Sequence, residues 1–218
     1  MASVFGVAIT DPFLREMPEY RDRQIGKRDR VQVAMLFKNA GTKRDQANAY
    51  VEALRRQWGD GVSTLGLIYN ATGDTIKFTS TKDWSGNIGP APYPSEIANG
   101  QWGGFLHVKT SGSISGSNSA VVYRCNNGTA ESDWMVAWDN PWDRMSYDSK
   151  VLTQIQQVNY FDGAWDIINT QMAQLNDHPN DQNTANGCKS TVAMSECSFS
   201  SQGCKLLCAE ISLAPAGP

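Results

Sequence analysis

From Ser63 onward the hydrophobic pattern of the chain switches to a period of two, and this constrains the fold more than any other feature. The runs TLGLIYN, DTIKFTS, WGGFLHVK, SAVVYRC, DWMVAWD and KVLTQIQ are short and rich in β-branched and aromatic residues. Side chains on a strand point alternately to its two faces, so Trp134, Val136 and Trp138 are expected on one face of a half-buried strand. Gly-, Asn-, Pro- and Ser-rich clusters at residues 70–73, 87–94, 111–119 and 126–128 punctuate the runs as turns. Many short strands separated in this way predict a β-sandwich or barrel. KLLCAEISL is expected to be the last strand, and NDHPNDQNTANG reads as a polar, turn-rich linker.

Helical spacing is clearest in two places. Ala47, Tyr50, Val51, Leu54 and Trp58 recur on one helical face over residues 42–58, with Thr42 as N-cap and Gly59 as the stop. Arg55 and Arg56 lie in the last turn, where the helix dipole favours cations. Trp165, Ile168, Met172 and Leu175 mark a second helix over residues 162–176, with Asp162 as candidate N-cap. The organisation expected is one domain. Its N-terminal helical segment spans residues 1–62, and residues 63–218 form a β-sandwich with a Cys-rich C-terminal loop.

Only 19% of residues are charged and seven are Trp, which excludes a disordered or coiled-coil chain. No apolar run approaches the roughly 18 residues of a membrane-spanning helix. The opening MASVFGVAITDPF lacks a basic stretch followed by a long apolar one, so a cytoplasmic location is expected. Net charge is −3 and uneven: residues 1–58 carry eleven Lys or Arg against seven Asp or Glu, and the remainder eight against fifteen. Phosphate affinity rests on clustered Lys and Arg, so the acidic body argues against nucleic acid as a partner.

Signals for catalysis and cofactors are poor. The two histidines, His107 and His178, have no Cys or carboxylate partner at ligand spacing, so no metal is expected. Neither a Gly-rich phosphate loop nor a GxSxG elbow occurs, and no cofactor is expected. Asp139 and Asp143 flank Pro141, and Asp139 is the one carboxylate with which an enzyme reading could begin. Cys188, Cys197, Cys204 and Cys208 fall within 21 residues, a spacing open to zinc, to two disulfides or to reduced thiols, and the absent leader favours the thiols. Trp84, Trp102, Trp142 and Tyr147 lie in or beside Gly-, Pro- and Asn-rich segments, as in a recognition surface for a membrane interface or a sugar.

Specific motifs carry a resemblance. Asn70-Ala71-Thr72-Gly73, then Ser85-Gly86 fifteen residues after Asn70, then SAVVYRC ending in NNG, and DWMVAWD running into Pro141-Trp142-Asp143 and Tyr147, resemble the actinoporins and their lectin-like relatives. The resemblance covers Leu65 to about Thr170 and implies an actinoporin-like β-sandwich flanked by two α-helices. It also implies a shallow cavity for the phosphocholine headgroup of membrane lipids. That lining carries over to Ser85, Pro141 and Tyr147. Asp139 stands where the family has a serine, Trp165 lies near a lining tyrosine, and Trp142 with Tyr147 offers cation–π contact. The whole chain is similar to the 23 kDa jasmonate-induced proteins of land plants, on LIYNATGDTIKF, DWSGNIGPAPYPSEIANGQWGGFLHV, VAWDNPWD and VEALRRQWG. That resemblance implies a stress- or defence-associated protein.

The expectation is therefore a non-enzymatic protein that binds a lipid headgroup or glycan through Ser85, Asp139, Pro141, Trp142, Tyr147 and Trp165. The alternative is a membrane-permeabilising protein whose N-terminal helix inserts. An enzyme or a ligand-free structural protein stands third.

Overall fold

Each alternating run forms a strand. The computed structural model describes residues 3–197 and 203–215. Four helices are present among them: α1 (Asp11–Arg15), α2 (Lys27–Leu36), α3 (Lys43–Trp58) and α4 (Trp165–Gln174). The strands are β1 (Val4–Phe5), β2 (Ser63–Ala71), β3 (Ile76–Ser85), β4 (Asn87–Ile88), β5 (Glu96–Ile97) and β6 (Trp102–Val108). They continue with β7 (Ser117–Asn126), β8 (Glu131–Asn140), β9 (Lys150–Gln156), β10 (Asn180–Ala185), β11 (Cys188–Glu196) and β12 (Cys204–Leu213).

The strands make two sheets. The first runs β1-β6-β2-β12-β11-β10, with β4 also on β6; the second runs β5-β3-β7-β8-β9. The C-terminal strand β12 lies parallel to β2, Cys204 opposite Ser63 and Ser212 opposite Ala71. On the remaining side of the sandwich, β10 closes onto β9 with side chains. The Thr153 N–H donates to Asp181 Oδ2 at 2.8 Å and the Ile155 N–H to Asn183 Oδ1 at 3.1 Å.

Three layers of apolar packing follow. Ile68, Phe105, Tyr123, Trp134, Val136 and Trp138 meet Val192, Leu207 and Ile211 between the sheets. Outside the first sheet, Leu65, Leu67, Tyr69, Trp102 and Leu106 pack under Val33 and Ala34 of α2 and Ala47, Tyr50, Val51 and Leu54 of α3. Outside the second, Ala120, Val122, Met135 and Ala137 pack under Ile168 and Met172 of α4. Trp134, Val136 and Trp138 share one face as expected, but β8 is not half-buried, because α4 covers its other face. α3 comes this close because β6 offers a glycine: a Cβ on Gly104 would stand 3.0 Å from both Tyr50 and Val51.

Four local expectations are corrected. NDHPNDQNTANG is not a linker: it contains β10, whose apolar content is low because its side chains serve as hydrogen-bond partners of β9. The Cys-rich segment is strand wherever Cys188, Cys204 and Cys208 lie, in the antiparallel pair β11 and β12, with residues 198–202 outside the described residues; Cys197 and Cys204 have Cα atoms 5.7 Å apart and are joined in a disulfide. Cys188 faces the inter-sheet core while Cys204 and Cys208 face outward, so the four cysteines do not converge; one disulfide forms where reduced thiols were favoured, and Cys188 and Cys208 are free. Asp162 does not cap α4: it lies in a 3₁₀ turn, Tyr160–Gly163, and Ala164 holds the cap position. The 42–58 helix has its expected bounds and Thr42 sits at the cap, but without a side-chain hydrogen bond.

Candidate functional site

At one end of the sandwich β3 finishes, β7 begins and β8 runs out into the loop before β9. A register shift between Asp83 and Ser85 on β3 turns Ser85 toward this end. Its hydroxyl donates to the Gly116 carbonyl at 3.3 Å. Gly116 is required there, since a Cβ would stand 2.5 Å from the Asn140 carbonyl oxygen. Beyond β8, Pro141 is buried and turns the chain. Asp143 then accepts from the Met145 and Ser146 N–H groups at 3.0 and 3.2 Å, and Tyr147 N–H donates to the Asp143 carbonyl at 3.1 Å. Arg144 ties this loop to Glu196 at the end of β11, where Lys205 also pairs at 2.7 Å.

These elements enclose an open cavity of about 410 Å³. Five of the residues expected from sequence line it together: Ser85, Asp139, Pro141, Trp142 and Tyr147. Ile114, Gly116, Asn118 and Asp143 complete it. Two carboxylates therefore face the cavity and no Lys or Arg does. Burial raises the Asp139 carboxyl above the usual range, and Lys150 opposite it on β9 pulls it part of the way back. Hydrogen bonds from Ser146 and the Met145 N–H hold Asp143 below that range. The rim is apolar and wet: Trp142 is 52% exposed, Tyr147 64%, Ile114 79% and Met145, on the same loop, 99%. A lone apolar residue in a Gly/Ser run is the signal that points to Ile114, and Met145 carries a similar one in DNPWDRMSY.

Trp165 is not part of the cavity. It opens α4 and stacks with Phe161 at 6.1 Å and against the edge of Trp84 at 6.2 Å, on the outer face of the second sheet. Trp84 lies in β3 rather than in a loop, and Trp102 is fully buried in β6, so of these aromatic residues Trp142 and Tyr147 alone reach the cavity.

Beneath the cavity runs a polar chain that sequence spacing could not disclose. His107 Nδ1 lies 2.8 Å from Ser117 Oγ, and His107 Nε2 lies 3.1 Å from Asp83 Oδ1. Ser117 Oγ also meets Thr64 Oγ1 at 2.8 Å and accepts from Trp138 Nε1 at 3.2 Å. His107 and Ser117 are fully buried. Among the described residues no three His, Cys, Asp or Glu side chains come together as a metal site, and no helix is long and apolar enough to cross a membrane.

Known proteins match over most of this architecture. A 23 kDa jasmonate-induced protein of Hordeum vulgare is 39% identical over 173 residues, covering 77% of this chain and 80% of that protein. A jasmonate-induced protein homolog of Atriplex canescens is 30% identical over 113 residues, half of this chain and 60% of that one. The crystal structure of the lipid binding protein Nakanori superposes with a TM-score of 0.85 at 29% identity, covering 96% of this chain and 99% of that one. The resemblance to the jasmonate-induced proteins and the β-sandwich fold are thus both borne out. The model of Nakanori-like proteins matches residues 5–206, and the chain belongs to that family.

Proposed function

We propose that this is a non-enzymatic, stress-associated protein that docks on a membrane surface and holds the cationic part of a lipid headgroup in the cavity formed by Ser85, Asp139, Pro141, Trp142 and Tyr147. One observation carries the reading: two carboxylates and an aromatic pair, with no cation among them, line a cavity whose rim exposes Ile114, Trp142, Met145 and Tyr147. An ammonium group gains from Asp139 by charge and from the aromatic rings by cation–π contact. The rim residues suit the membrane interface, where an apolar body with a polar tip is favoured. The Nakanori structure, described as a lipid binding protein, supports the same direction, and the jasmonate-induced relatives support the link to stress. The polar chain below the cavity favours a structural role over a catalytic one: Ser117 Oγ is sealed from solvent and already engaged by Thr64, His107 and Trp138.

Sedimentation with dye-loaded vesicles tests this. Vesicles of phosphatidylcholine are expected to carry the protein down without dye release, and vesicles of phosphatidylglycerol, which has no ammonium group, to carry down much less. Asp139→Asn is expected to weaken the phosphatidylcholine association about tenfold, the loss of one charge-assisted contact. Equal sedimentation with both vesicles, or an unaffected Asp139→Asn, would overturn the reading.

A further inference from the structure

The N-terminal helices cover only part of the first sheet. α3 sits over β6 and β2 and α2 reaches β12, while among the described residues no helix packs broadly on the outer faces of β10 and β11. Where the C-terminal end of α2 and the start of α3 overhang those strands, a groove of about 700 Å³ opens. Lys38 and Arg44 form its upper wall. Its floor presents the exposed side chains of Thr191 and Ser195 from β11 and of Asn180 and Gln182 from β10.

The groove's two cations, Lys38 and Arg44, stand together on one wall, and its two carboxylates, Glu210 and Asp181, lie elsewhere in the lining. Lys38 Nζ lies 5.7 Å and Arg44 Cζ 5.5 Å from the centre of the Trp102 ring, and Lys43 Nζ lies behind them, 5.1 Å from the centre of the Tyr69 ring. Glu210 pairs with Lys38. Lys43 is turned inward, donating to the Gly100 carbonyl at 2.8 Å. Asp181, at the far side, accepts from the Thr153 N–H and lies 3.7 Å from His178. Among the described residues Arg44 has no carboxylate within ion-pair distance, so its planar fork faces the groove with its donors unused. A guanidinium held against an aromatic face is ordered before any ligand arrives, which lowers the entropic cost of binding.

We propose that this groove is a second binding site, separate from the headgroup cavity, for an anionic sugar: Arg44 and Lys38 take the carboxylate or phosphate, and Thr191, Ser195, Asn180 and Gln182 meet the hydroxyls. The oxyanion matches the bidentate geometry of arginine, and the density of hydroxyl and amide groups on the floor matches a polyol. A lipid surface fits poorly, because none of the large exposed apolar side chains lines this groove, unlike the other cavity. A nucleic acid fits poorly as well, since Glu210 and Asp181 flank the two cations.

Titration of the protein with D-glucuronate, glucose 6-phosphate and D-glucose, followed by calorimetry and by the Trp102 indole and Thr191 amide resonances, tests the assignment. Saturable binding of at least one anionic sugar, at least about tenfold tighter than D-glucose, is expected, and whichever anion binds identifies carboxylate or phosphate as the group held. Arg44→Met is expected to weaken it about tenfold or more, and Thr191→Glu, which sets a negative charge on the exposed floor, to abolish it. Both variants should keep the wild-type melting temperature and vesicle sedimentation. If neither anion binds more tightly than D-glucose, or if Arg44→Met binds as well as the wild type, the groove is not such a site. Ligand should also slow alkylation of Cys208, a half-buried free thiol on the floor, and unchanged alkylation at saturating sugar would place binding elsewhere.

Discussion

Permeabilisation by an inserting N-terminal helix requires residues 1–58 to leave the sheet, and the cost can be worked from what they bury. Seven large hydrophobic side chains of this segment, Ile9, Leu14, Tyr20, Val33, Tyr50, Val51 and Leu54, are less than a tenth exposed. At ~1.5–3 kcal/mol each, their burial amounts to about 10–20 kcal/mol. The outer faces of Leu65, Leu67, Tyr69, Trp102 and Leu106 would be uncovered at the same time. Polar ties would break too: Lys43 to the Gly100 carbonyl, Asn99 to the Ile9 carbonyl and Trp102 to the Lys38 carbonyl. A whole domain has a stability of ~5–15 kcal/mol, so releasing the segment amounts to unfolding the protein. Leu54→Ala loosens α3 by ~2–5 kcal/mol, which for a chain of this size lowers Tm by about 5–15 °C. The assay is dye release from phosphatidylcholine vesicles at saturating protein, beside a thermal melt. Wild type and Leu54→Ala are both expected to release nothing, although the variant melts earlier. Release by the wild type that accelerates in Leu54→Ala, at a temperature where both remain folded, would refute this reasoning and restore the pore reading.

Three further outcomes are expected. Trp142→Ala removes about half of an exposed Trp surface, ~100 Å² worth about 2–3 kcal/mol, so vesicle partitioning should fall roughly 30- to 150-fold with an unchanged Tm. Burial lifts the Asp139 carboxyl, so this group makes the native state less stable as pH rises through its folded pKa, and a bound ammonium relieves that cost. Phosphatidylcholine association should accordingly weaken as pH falls through the raised pKa, and a sedimentation series should be flat over that window in Asp139→Asn. Reducing the Cys197–Cys204 bond, which links residues 7 apart in the sequence, should lower stability by ~2–3 kcal/mol; paired urea titrations with and without dithiothreitol would read the shift.

Strands with alternating apolar residues were legible because their pattern follows from burial on a pleated sheet. β2, β3, β6, β7, β8 and β9 all emerged in this way. β10 did not, because Asp181 and Asn183 are there to bond the backbone of β9, and polarity used for pairing looks like a loop. The covering of β8 by α4 was equally hidden, since Met135 and Ala137 are apolar whether a helix or a partner lies over them. The cavity was legible through Ser85, Pro141, Trp142 and Tyr147 because a resemblance supplied their spacing. Trp165 was misplaced by the same route, as the helix carrying it turns its ring toward Phe161 and Trp84. The groove beside Arg44 left no trace in the sequence, because its walls come from residues 38–44 and its floor from residues 180–210.

The place of β12 bears on how this protein comes into being. The most C-terminal strand described is not added at an edge but slots between β2 and β11, in parallel with a segment about 140 residues earlier in the sequence. Until it arrives, β2 and β11 lack their shared neighbour, and the apolar row Ile68, Phe105, Trp134 and Trp138 lacks Leu207 and Ile211 to close over it. Contacts this distant in sequence slow folding and leave strand edges open meanwhile. The nascent chain therefore cannot finish its first sheet before β12 is made. A product truncated before Cys204 would be left with two unjoined pieces of sheet, the natural substrate of a chaperone and then of a protease.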